Sequence, residues 1–409
     1  MSPSTLERLK AVGVADVHKG GRRAAVLDRR GDALRFAYRA AYLEADAEPV
    51  ATTLPLTMEP VSFVGGAVPP FFAGLLPEGR RLTNLRREVK TSADDELSLL
   101  LAVGRDTIGD VQVVPEGESP ERPDVLVALA GDVSTTRFAD VLFQAGVVDP
   151  VGLPGVQEKA SARMISVPVR QAGERYLLKV DPPEYPHVVE SEAFFLSLAR
   201  DVGVPSAEAR VVRDADGRAG LLVKRFDRVA LPEGRTGSLA CEDACQVLAR
   251  WPADKYALSA EEAVLGLARH CAARSLAVRD LYRQLVFAWL TGNGDAHAKN
   301  LSILRTEGGE WRVSPAYDLP ATVPYGDRTL ALSVQGRTEG VSRRRWLAFA
   351  DVIGLPPRTA VRALDELLDG LVDLAPTLQS GVLSFPQRAT ADWVAELRHR
   401  HRITRGDSA

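Results

Sequence analysis

Residues 292–300 read Gly-Asn-Gly-Asp-Ala-His-Ala-Lys-Asn, and the predicted fold and site are built around this stretch. An apolar segment, residues 281–290, leads into it, and an apolar strand is predicted directly after it, over 301–304. A second predicted strand, 311–313, ends shortly before Asp318. Carboxylates and a carboxamide at successive strand–loop junctions can bind Mg²⁺ and a phosphoryl donor. The alternative is a glycine-rich turn that carries exposed polar residues.

Asp295 and Asn300 stand five positions apart in this stretch. Kinase catalytic loops place a base aspartate and a metal-binding asparagine at this spacing. We therefore expect Asp295 to act as the base for a substrate hydroxyl, and Asn300 and Asp318 to bind Mg²⁺. Lys299 is expected to face the transferring phosphoryl group and to spread its charge. His297 is expected to orient the loop at the nucleotide site, because a lone histidine is more often structural than catalytic.

Length and composition are those of an ordered, globular chain with more than one domain. The chain has 409 residues, of which 45% are hydrophobic and 26% charged, with a formal net charge of −3. A chain of this length is too long to fold around one ordinary hydrophobic core, so more than one domain is expected. A chain without basic excess is not expected to bind nucleic acid directly.

Three features of the sequence favour a soluble, cytoplasmic protein. The three cysteines are too few for a disulfide framework. Cys241 and Cys245 with His270 lack the remaining spacing of a metal site, so buried thiols are expected. The N-terminus has no signal-peptide pattern. Residues 60–77 are uncharged and mostly apolar, but paired glycines and prolines interrupt them, so a buried loop leading into a helix is expected rather than a membrane span.

A linker rich in proline and charge, residues 115–123, is the best domain boundary. Residues 1–115 are predicted to form a small α+β subdomain, with a hairpin of strands 22–28 and 34–38 and a helix over 71–88. Beyond the linker, mainly strands are predicted up to about residue 230, and mainly helices after it. The predicted strands there are 164–169, 176–180, 209–213 and 220–226, and the predicted helices include 189–202, 242–248, 260–272, 278–291, 343–352, 358–374 and 389–401.

The order hairpin, helix, two strands and then a helical remainder is that of a kinase. We therefore predict an α+β, two-lobed protein-kinase-like fold that follows the small N-terminal α+β subdomain. The β-rich N-lobe would occupy residues 124–230, and the helical C-lobe residues 231–409.

Lys179 and a loop before it are candidates for binding phosphates. Lys179 ends an apolar strand and needs a partner to offset its desolvation, which Glu190 or Glu192 of the next helix could supply. A strand lysine held by a helix glutamate is the kinase arrangement. The alternative is a lysine in solvent at a strand edge. The loop has a glycine that frees backbone N–H groups for phosphate oxygens, and a lysine that adds charge; its residues are Gly155, Val156, Gln157, Glu158 and Lys159. It is not a Walker A loop, and an ordinary polar turn is the alternative.

The last strand before the helical part closes with Lys224-Arg-Phe-Asp-Arg228. In a two-lobed kinase this is the hinge, where backbone groups, here around Lys224 and Phe226, contact adenine. Asp227 would then contact the ribose. By itself, the segment could be any polar strand exit.

Together these residues resemble the HipA family of bacterial serine/threonine kinases, which are toxins of toxin–antitoxin pairs. The resemblance runs nearly end to end. It rests on residues 72–79, 104–109, 155–159, Lys179 with Glu192, 224–227, 242–246, 255–256, 294–300 and 317–318.

The resemblance implies phosphorylation of a protein serine or threonine that depends on ATP and Mg²⁺. Targets in the family include aminoacyl-tRNA synthetases, so that translation slows and cells persist. It also implies a helix-turn-helix antitoxin partner, similar to HipB, which binds operator DNA; the chain would then meet DNA only indirectly and no membrane. Two other functions remain open, a small-molecule phosphotransferase and a pseudokinase that co-represses with a DNA-binding antitoxin.

One position departs from the family pattern. Family members often carry a serine three residues before the loop glycine, and autophosphorylation of that serine inactivates them. Here the position is Gly152, which has no hydroxyl. Ser161 remains nearby, at the start of a predicted strand. We therefore expect the enzyme not to silence itself through this loop.

Overall fold

The computed structural model describes residues 6–121, 127–129, 131–144, 164–232 and 236–406. Strands dominate its first half and helices its second half. One hydrophobic core lies within residues 6–113 and another within 127–222. The largest core lies within residues 189–397 and joins the second sheet to the helices. The architecture is α+β, as predicted.

The N-terminal region is built on an antiparallel sheet of five strands in the order β4-β3-β2-β1-β5. Its strands are β1 (Val14–Lys19), β2 (Arg22–Arg30), β3 (Ala33–Tyr38), β4 (Val61–Val64) and β5 (Val111–Pro115), and its helices are α1 (Ala40–Leu43), α2 (Pro70–Ala73), α3 (Gly79–Val89) and α4 (Glu96–Val103). The predicted hairpin is confirmed as β2 and β3. The helix predicted over 71–88 is interrupted between α2 and α3, where Pro77 supplies no backbone N–H for a continuous helix.

The middle of the chain forms a four-stranded antiparallel sheet in the order β6-β7-β9-β8. Its elements are β6 (Ile165–Gln171), β7 (Glu174–Val180), β8 (Ala209–Arg213) and β9 (Ala219–Lys224), with helices α5 (Phe138–Gln144) and α6 (Val188–Asp201). The predicted hairpin, helix and two further strands are confirmed to within about two residues at most ends. Every second side chain of β6 is buried, and this alternation explains why the strand could be predicted from the sequence.

The rest of the chain is chiefly helical. Its helices are α7 (Ala244–Val247), α8 (Ala260–Ala268), α9 (Arg274–Thr291), α10 (Arg343–Val352), α11 (Pro357–Gly370), α12 (Leu374–Gln379) and α13 (Gln387–Arg405). Its strands are β10 (Arg228–Ala230), β11 (Thr236–Ser238), β12 (Cys241–Asp243), β13 (Ser302–Arg305) and β14 (Trp311–Val313). β12, β13 and β14 form a small sheet next to residues 292–300, and the predicted strands after that stretch correspond to β13 and β14.

The cysteines are buried, whereas the apolar residues 60–77 are only partly so: residues 60–65 are mostly exposed and include β4, and residues 68–73 are buried. All three cysteines are buried and carry free thiols, as expected. Burial raises the pKa of Cys245 to about 12, so this thiol is unreactive at neutral pH. Among the helices in the described ranges, none has both the length and the apolar character needed to cross a membrane.

Glu242 joins the N-terminal region to the helical part of the chain. Its carboxylate accepts hydrogen bonds from the Thr52 backbone N–H at 2.9 Å and from the Thr52 hydroxyl at 2.7 Å. Glu242 is only 2% exposed. Burial raises the pKa of Glu242 from its ordinary 4.5 to about 7.

Replacing Glu242 should change how stability depends on pH. With the raised pKa, the folded protein holds a proton between pH 4.5 and 7 that the unfolded chain releases. The free energy of unfolding should therefore fall as pH rises through that interval. Glu242→Gln cannot ionise and should remove roughly 2–3 kcal/mol of that decline. Urea unfolding of both proteins on either side of the interval measures this, and identical pH dependence would contradict it.

Candidate active site

Lys179, Glu192 and Asp318 meet where the four-stranded sheet faces the helical part. Lys179 lies near the end of β7, Glu192 on the buried side of α6, and Asp318 just beyond β14. The Lys179 ammonium donates to both oxygens of Glu192, at 2.7 and 3.0 Å, and to Oδ1 of Asp318. Of the two candidate helix glutamates, Glu192 is thus the partner, while Glu190 pairs with His187 and Arg213.

The three side chains of this cluster differ in their exposure to solvent. The side chains of Lys179 and Glu192 are 8% and 0% exposed, whereas that of Asp318 is 32% exposed. Burial raises the pKa of Glu192 to about 7 despite the neighbouring ammonium. Burial alone would also raise the pKa of Asp318, but Lys179 outweighs it and lowers that pKa. Asp318 is therefore the ionised carboxylate of the cluster that a ligand can reach.

Asn293 fixes the two candidate loops to each other. Its side-chain oxygen accepts from the Asp295 N–H at 2.9 Å, and its amide nitrogen donates to the Asp318 carbonyl at 3.1 Å. Asn300 donates in turn to the Asp295 carbonyl at 2.8 Å. Asp318 adopts a left-handed backbone conformation, φ 56°, which is uncommon for a residue other than glycine and typical of constrained sites. The structure thus brings Asp295, Asn300 and Asp318 together.

Asn300 and Asp318 have the chemistry that Mg²⁺ requires. Because Asn300 donates through its amide nitrogen, its amide oxygen is left as the acceptor. The described ranges contain no group of three or more His, Cys, Asp and Glu side chains able to hold a metal by themselves. Magnesium at phosphoryl-transfer sites is usually held by one or two protein oxygens together with substrate phosphates. One carboxylate and one carboxamide on adjacent loops fit such a site.

Tyr256 and His297 flank Asp295. The Tyr256 hydroxyl donates to Asp295 Oδ1 at 2.8 Å, and its ring packs edge-on against His297 with the centroids 5.2 Å apart. Burial, reinforced by the charge of Lys255, holds the pKa of His297 well below its usual range, so the ring is neutral. Its Nδ1 has no hydrogen-bond partner among the residues described. A neutral, packed ring is consistent with an orienting role.

Lys299 lies in a different environment from the one expected. Its ammonium donates to the Gly74 carbonyl at 2.9 Å and lies 3.4 Å from Glu78 Oε1 and 3.3 Å from Asp243 Oδ2. Lys299 therefore ties the loop to the N-terminal region, and the expectation that it faces a transferring phosphoryl group is corrected.

The Asp227 carboxylate likewise binds other residues of the chain. Its carboxylate accepts from Arg225 at 2.9 Å, from Arg228 at 2.7 Å and from the Gly109 N–H at 2.9 Å. Asp227 is 4% exposed. Burial would raise the pKa of Asp227, but the two guanidinium groups lower it to about 2. The expected ribose contact is corrected: this carboxylate joins the end of the sheet to the N-terminal region.

The two other hinge residues differ from each other. Lys224 directs its ammonium to Glu174 on the neighbouring strand, which gives it a surface ion pair. Phe226 is partly buried against the large core, and its ring packs on Tyr317 with the centroids 5.6 Å apart. Tyr317 directly precedes Asp318, so only Phe226 of this segment lies beside the candidate site.

Part of the predicted site lies outside the described residues. This applies to Gly155, Val156, Gln157 and Lys159, and also to Gly152 and Ser161.

Sequence reasoning missed Tyr256, Asn293 and Glu78 as site residues. Asn293 lies within residues 292–300 and Tyr256 in a segment that carries the family resemblance, but neither pattern shows which side chain touches Asp295. Glu78 had a weaker signal: it is the first charged residue after the uncharged residues 60–77.

Among the glycines of residues 292–300, Gly294 has the least room for a side chain. A Cβ atom there would lie 2.5 Å from the Thr329 carbonyl oxygen, 2.6 Å from Thr322 Oγ1 and 2.8 Å from Asp327 Oδ2. Since the Thr329 oxygen belongs to the backbone, the loop itself would have to move.

Gly294→Ala should therefore lower the free energy of unfolding by about 1–3 kcal/mol and displace Asp295. Thermal unfolding and phosphoryl-transfer assays measure the two effects. Gly308→Ala is the matched control, because its nearest contact would be an ordinary 3.7 Å from Thr306 Oγ1. A Gly294 variant as stable and active as this control would contradict the packing argument.

Comparison with known proteins identifies the family. Residues 151–375 match the HipA-like C-terminal domain, and residues 15–114 match the HipA N-terminal domain. A Sinorhizobium fredii protein named "Putative kinase Y4mE" is 30% identical over 370 residues, which cover 85% of this chain and 86% of that protein. The "Serine/threonine-protein kinase toxin HipA" of Shewanella oneidensis is 25% identical, over 82% of this chain and 84% of that protein.

A solved structure shows the same fold. It is the "Shewanella oneidensis MR-1 Toxin Antitoxin System HipA, HipB and its operator DNA complex". The match has a TM-score of 0.76 and 22% identity, and covers 96% of this chain and 97% of the other. The predicted two-lobed, kinase-like fold is thereby confirmed. Since the C-terminal match alone spans more than half of the chain, the protein belongs to the HipA family.

Proposed function

We propose that this protein is a serine/threonine protein kinase of the HipA toxin type, which transfers the γ-phosphate of ATP to a protein hydroxyl and so slows growth. The observation that carries the proposal is the buried cluster of Lys179, Glu192 and Asp318, which is tied through Asn293 to the loop of Asp295. A structural salt bridge would not require a partly exposed carboxylate on a strained backbone beside a second carboxylate.

Each side chain has a role that follows from its surroundings. Lys179, held by Glu192, binds phosphate oxygens, and the partly exposed Asp318 with Asn300 holds Mg²⁺. Bound Mg²⁺ supplies charge neutralisation at the phosphates. Asp295 accepts the proton of the substrate hydroxyl. The residues proposed at the edges of the nucleotide site are Phe226 at the adenine, His297 orienting the loop, and Gly155, Val156, Gln157 and Lys159 at the phosphates.

The proposed biology follows the named relatives. One relative is named a kinase toxin, and the solved structure with the same fold is a complex of HipA, HipB and operator DNA. We propose a similar helix-turn-helix antitoxin for this chain, with DNA reached only through it, in agreement with the net charge of −3. The proposed setting is the cytoplasm. The domain division at residues 115, 124 and 230 is retained as part of this proposal.

The experiment that tests the proposal separates three activities. Purified protein is incubated with Mg²⁺, γ-labelled ATP and a cell extract, and protein is then separated from small molecules. Label on protein supports the kinase, and label on metabolites would indicate a small-molecule phosphotransferase. ATP binding without any transfer would indicate a pseudokinase co-repressor. Aminoacyl-tRNA synthetases are the first purified substrates to assay.

A further inference from the structure

Glu78 reaches from the N-terminal region into the helical lobe. It lies in the break between α2 and α3, and its carboxylate sits between two lysines of the other region. Oε2 accepts from the Lys255 ammonium, and Oε1 lies 3.4 Å from the Lys299 ammonium. Burial alone would raise the pKa of Glu78, but Lys299 and Lys255 outweigh it and lower that pKa. Glu78 is therefore an anion shared by two cations.

Both lysines belong to segments that contact Asp295. Lys255 directly precedes Tyr256, whose hydroxyl donates to Asp295 Oδ1 at 2.8 Å. Lys299 follows Asp295 in the same loop, and its carbonyl accepts from the Tyr317 hydroxyl at 2.7 Å. A single carboxylate thus joins the turn that carries Tyr256 to the loop that carries Asp295.

Removal of this carboxylate would leave the two lysines unequally compensated. Lys299 would keep the Gly74 carbonyl and Asp243, 3.3 Å away. Lys255 would lose its ion-pair partner, although its side chain is only 13% exposed. Lys255 would be drawn toward solvent, and Tyr256 is the next residue.

From these contacts we infer that Glu78 is a positioning residue, which holds Tyr256 against Asp295 and makes phosphoryl transfer depend on docking of the N-terminal region. The inference rests on the proposed kinase function. Glu78 pairs with Lys255 and Lys299 and not with the carboxylates themselves, so the positioning effect is argued through these two lysines.

The competing explanation is that Glu78 only stabilises the contact between the N-terminal region and the helical part of the chain. The regions are also joined by Thr52 with Glu242, and by Gln246, which donates to the Phe71 carbonyl at 2.9 Å. Neither contact involves the segments of Tyr256 or Asp295. Thr52→Val removes the side-chain hydrogen bond from Thr52 to Glu242 and leaves the Glu78 ion pairs in place, so it is the matched control.

The test uses the full chain with Glu78→Gln, Tyr256→Phe, their combination and Thr52→Val. Glu78→Gln should lower kcat roughly tenfold and leave KM for ATP within about twofold, since orientation and not nucleotide binding is lost. Tyr256→Phe should do the same, and the double variant should lose no more than the larger single effect. Thr52→Val should keep the parent kcat. Glu78→Asp, which keeps the charge, should fall between Glu78→Gln and the parent and serves if Glu78→Gln is unstable.

Hydrogen–deuterium exchange gives a readout that does not need activity. In Glu78→Gln, the amides of residues 253–257 and 292–300 should exchange faster, while those of β6 and β7 should not. Equal losses of kcat in Glu78→Gln and Thr52→Val would show that Glu78 only holds the two regions together, and would overturn the inference. Unchanged exchange in both segments would overturn it as well. A parent that binds ATP without transferring phosphate would instead overturn the proposed function, and faster exchange in Glu78→Gln would still support positioning.

Discussion

Asp295→Asn is expected to lower the rate of phosphoryl transfer by roughly 10²-fold or more, because it removes the proposed proton acceptor. The fold should survive, since the carboxamide has the same shape and its oxygen can still accept from the Tyr256 hydroxyl. ATP affinity should remain close to that of the parent. Transfer kinetics and calorimetry with ATP measure the two quantities, and growth arrest on expression without antitoxin should be relieved.

The control for this change is Asp280→Asn. Asp280 lies on α9 and pairs with the neighbouring Arg279, so the same loss of charge occurs on the helix surface. This variant should transfer phosphate at the parent rate. If Asp295→Asn also retained the parent rate, Asp295 would not be the base.

Asp318→Ala is expected to abolish the Mg²⁺ dependence of ATP binding. The carboxylate is the ionised, partly exposed member of the buried cluster, and alanine offers no oxygen to a metal. Lys179 would keep its two contacts with Glu192, so the lobe junction should stay intact. Calorimetry with ATP, with and without Mg²⁺, provides the measurement.

Glu190→Ala is the matched control, because Glu190 lies on α6 beside the cluster but pairs with His187 and Arg213. Its Mg²⁺-dependent affinity should equal that of the parent. The same metal-dependent affinity in Asp318→Ala would remove Asp318 from the site.

Local sequence pattern was enough to predict the elements that bear the site. The strand that carries Lys179 is a short apolar run, and α6 has an apolar side, so both periodicities could be read directly. A lysine in such a strand needs an anion, and Glu192 lay within one helix of it. The spacing of Asp295 and Asn300 identified the loop because residues five positions apart in one short loop stay close together in the folded protein.

The misassigned residues have partners that are distant in sequence. Lys299 bonds to Gly74, which is 225 positions away, and Asp227 bonds to Gly109, 118 positions away. Both partners belong to the N-terminal region, and no periodicity of the helical lobe reveals how that region docks. Glu78 was missed for the same reason, since its two lysines lie in another part of the chain.

The most direct test of the proposed kinase function is phosphate transfer by the parent and by Asp295→Asn to the same protein substrate. Each is incubated with Mg²⁺ and γ-labelled ATP, and the modified residues are identified by mass spectrometry. We predict label on serine or threonine of the substrate with the parent, and almost none with the variant. Equal labelling by both, or no protein labelling by a parent that binds ATP, would contradict the proposed function.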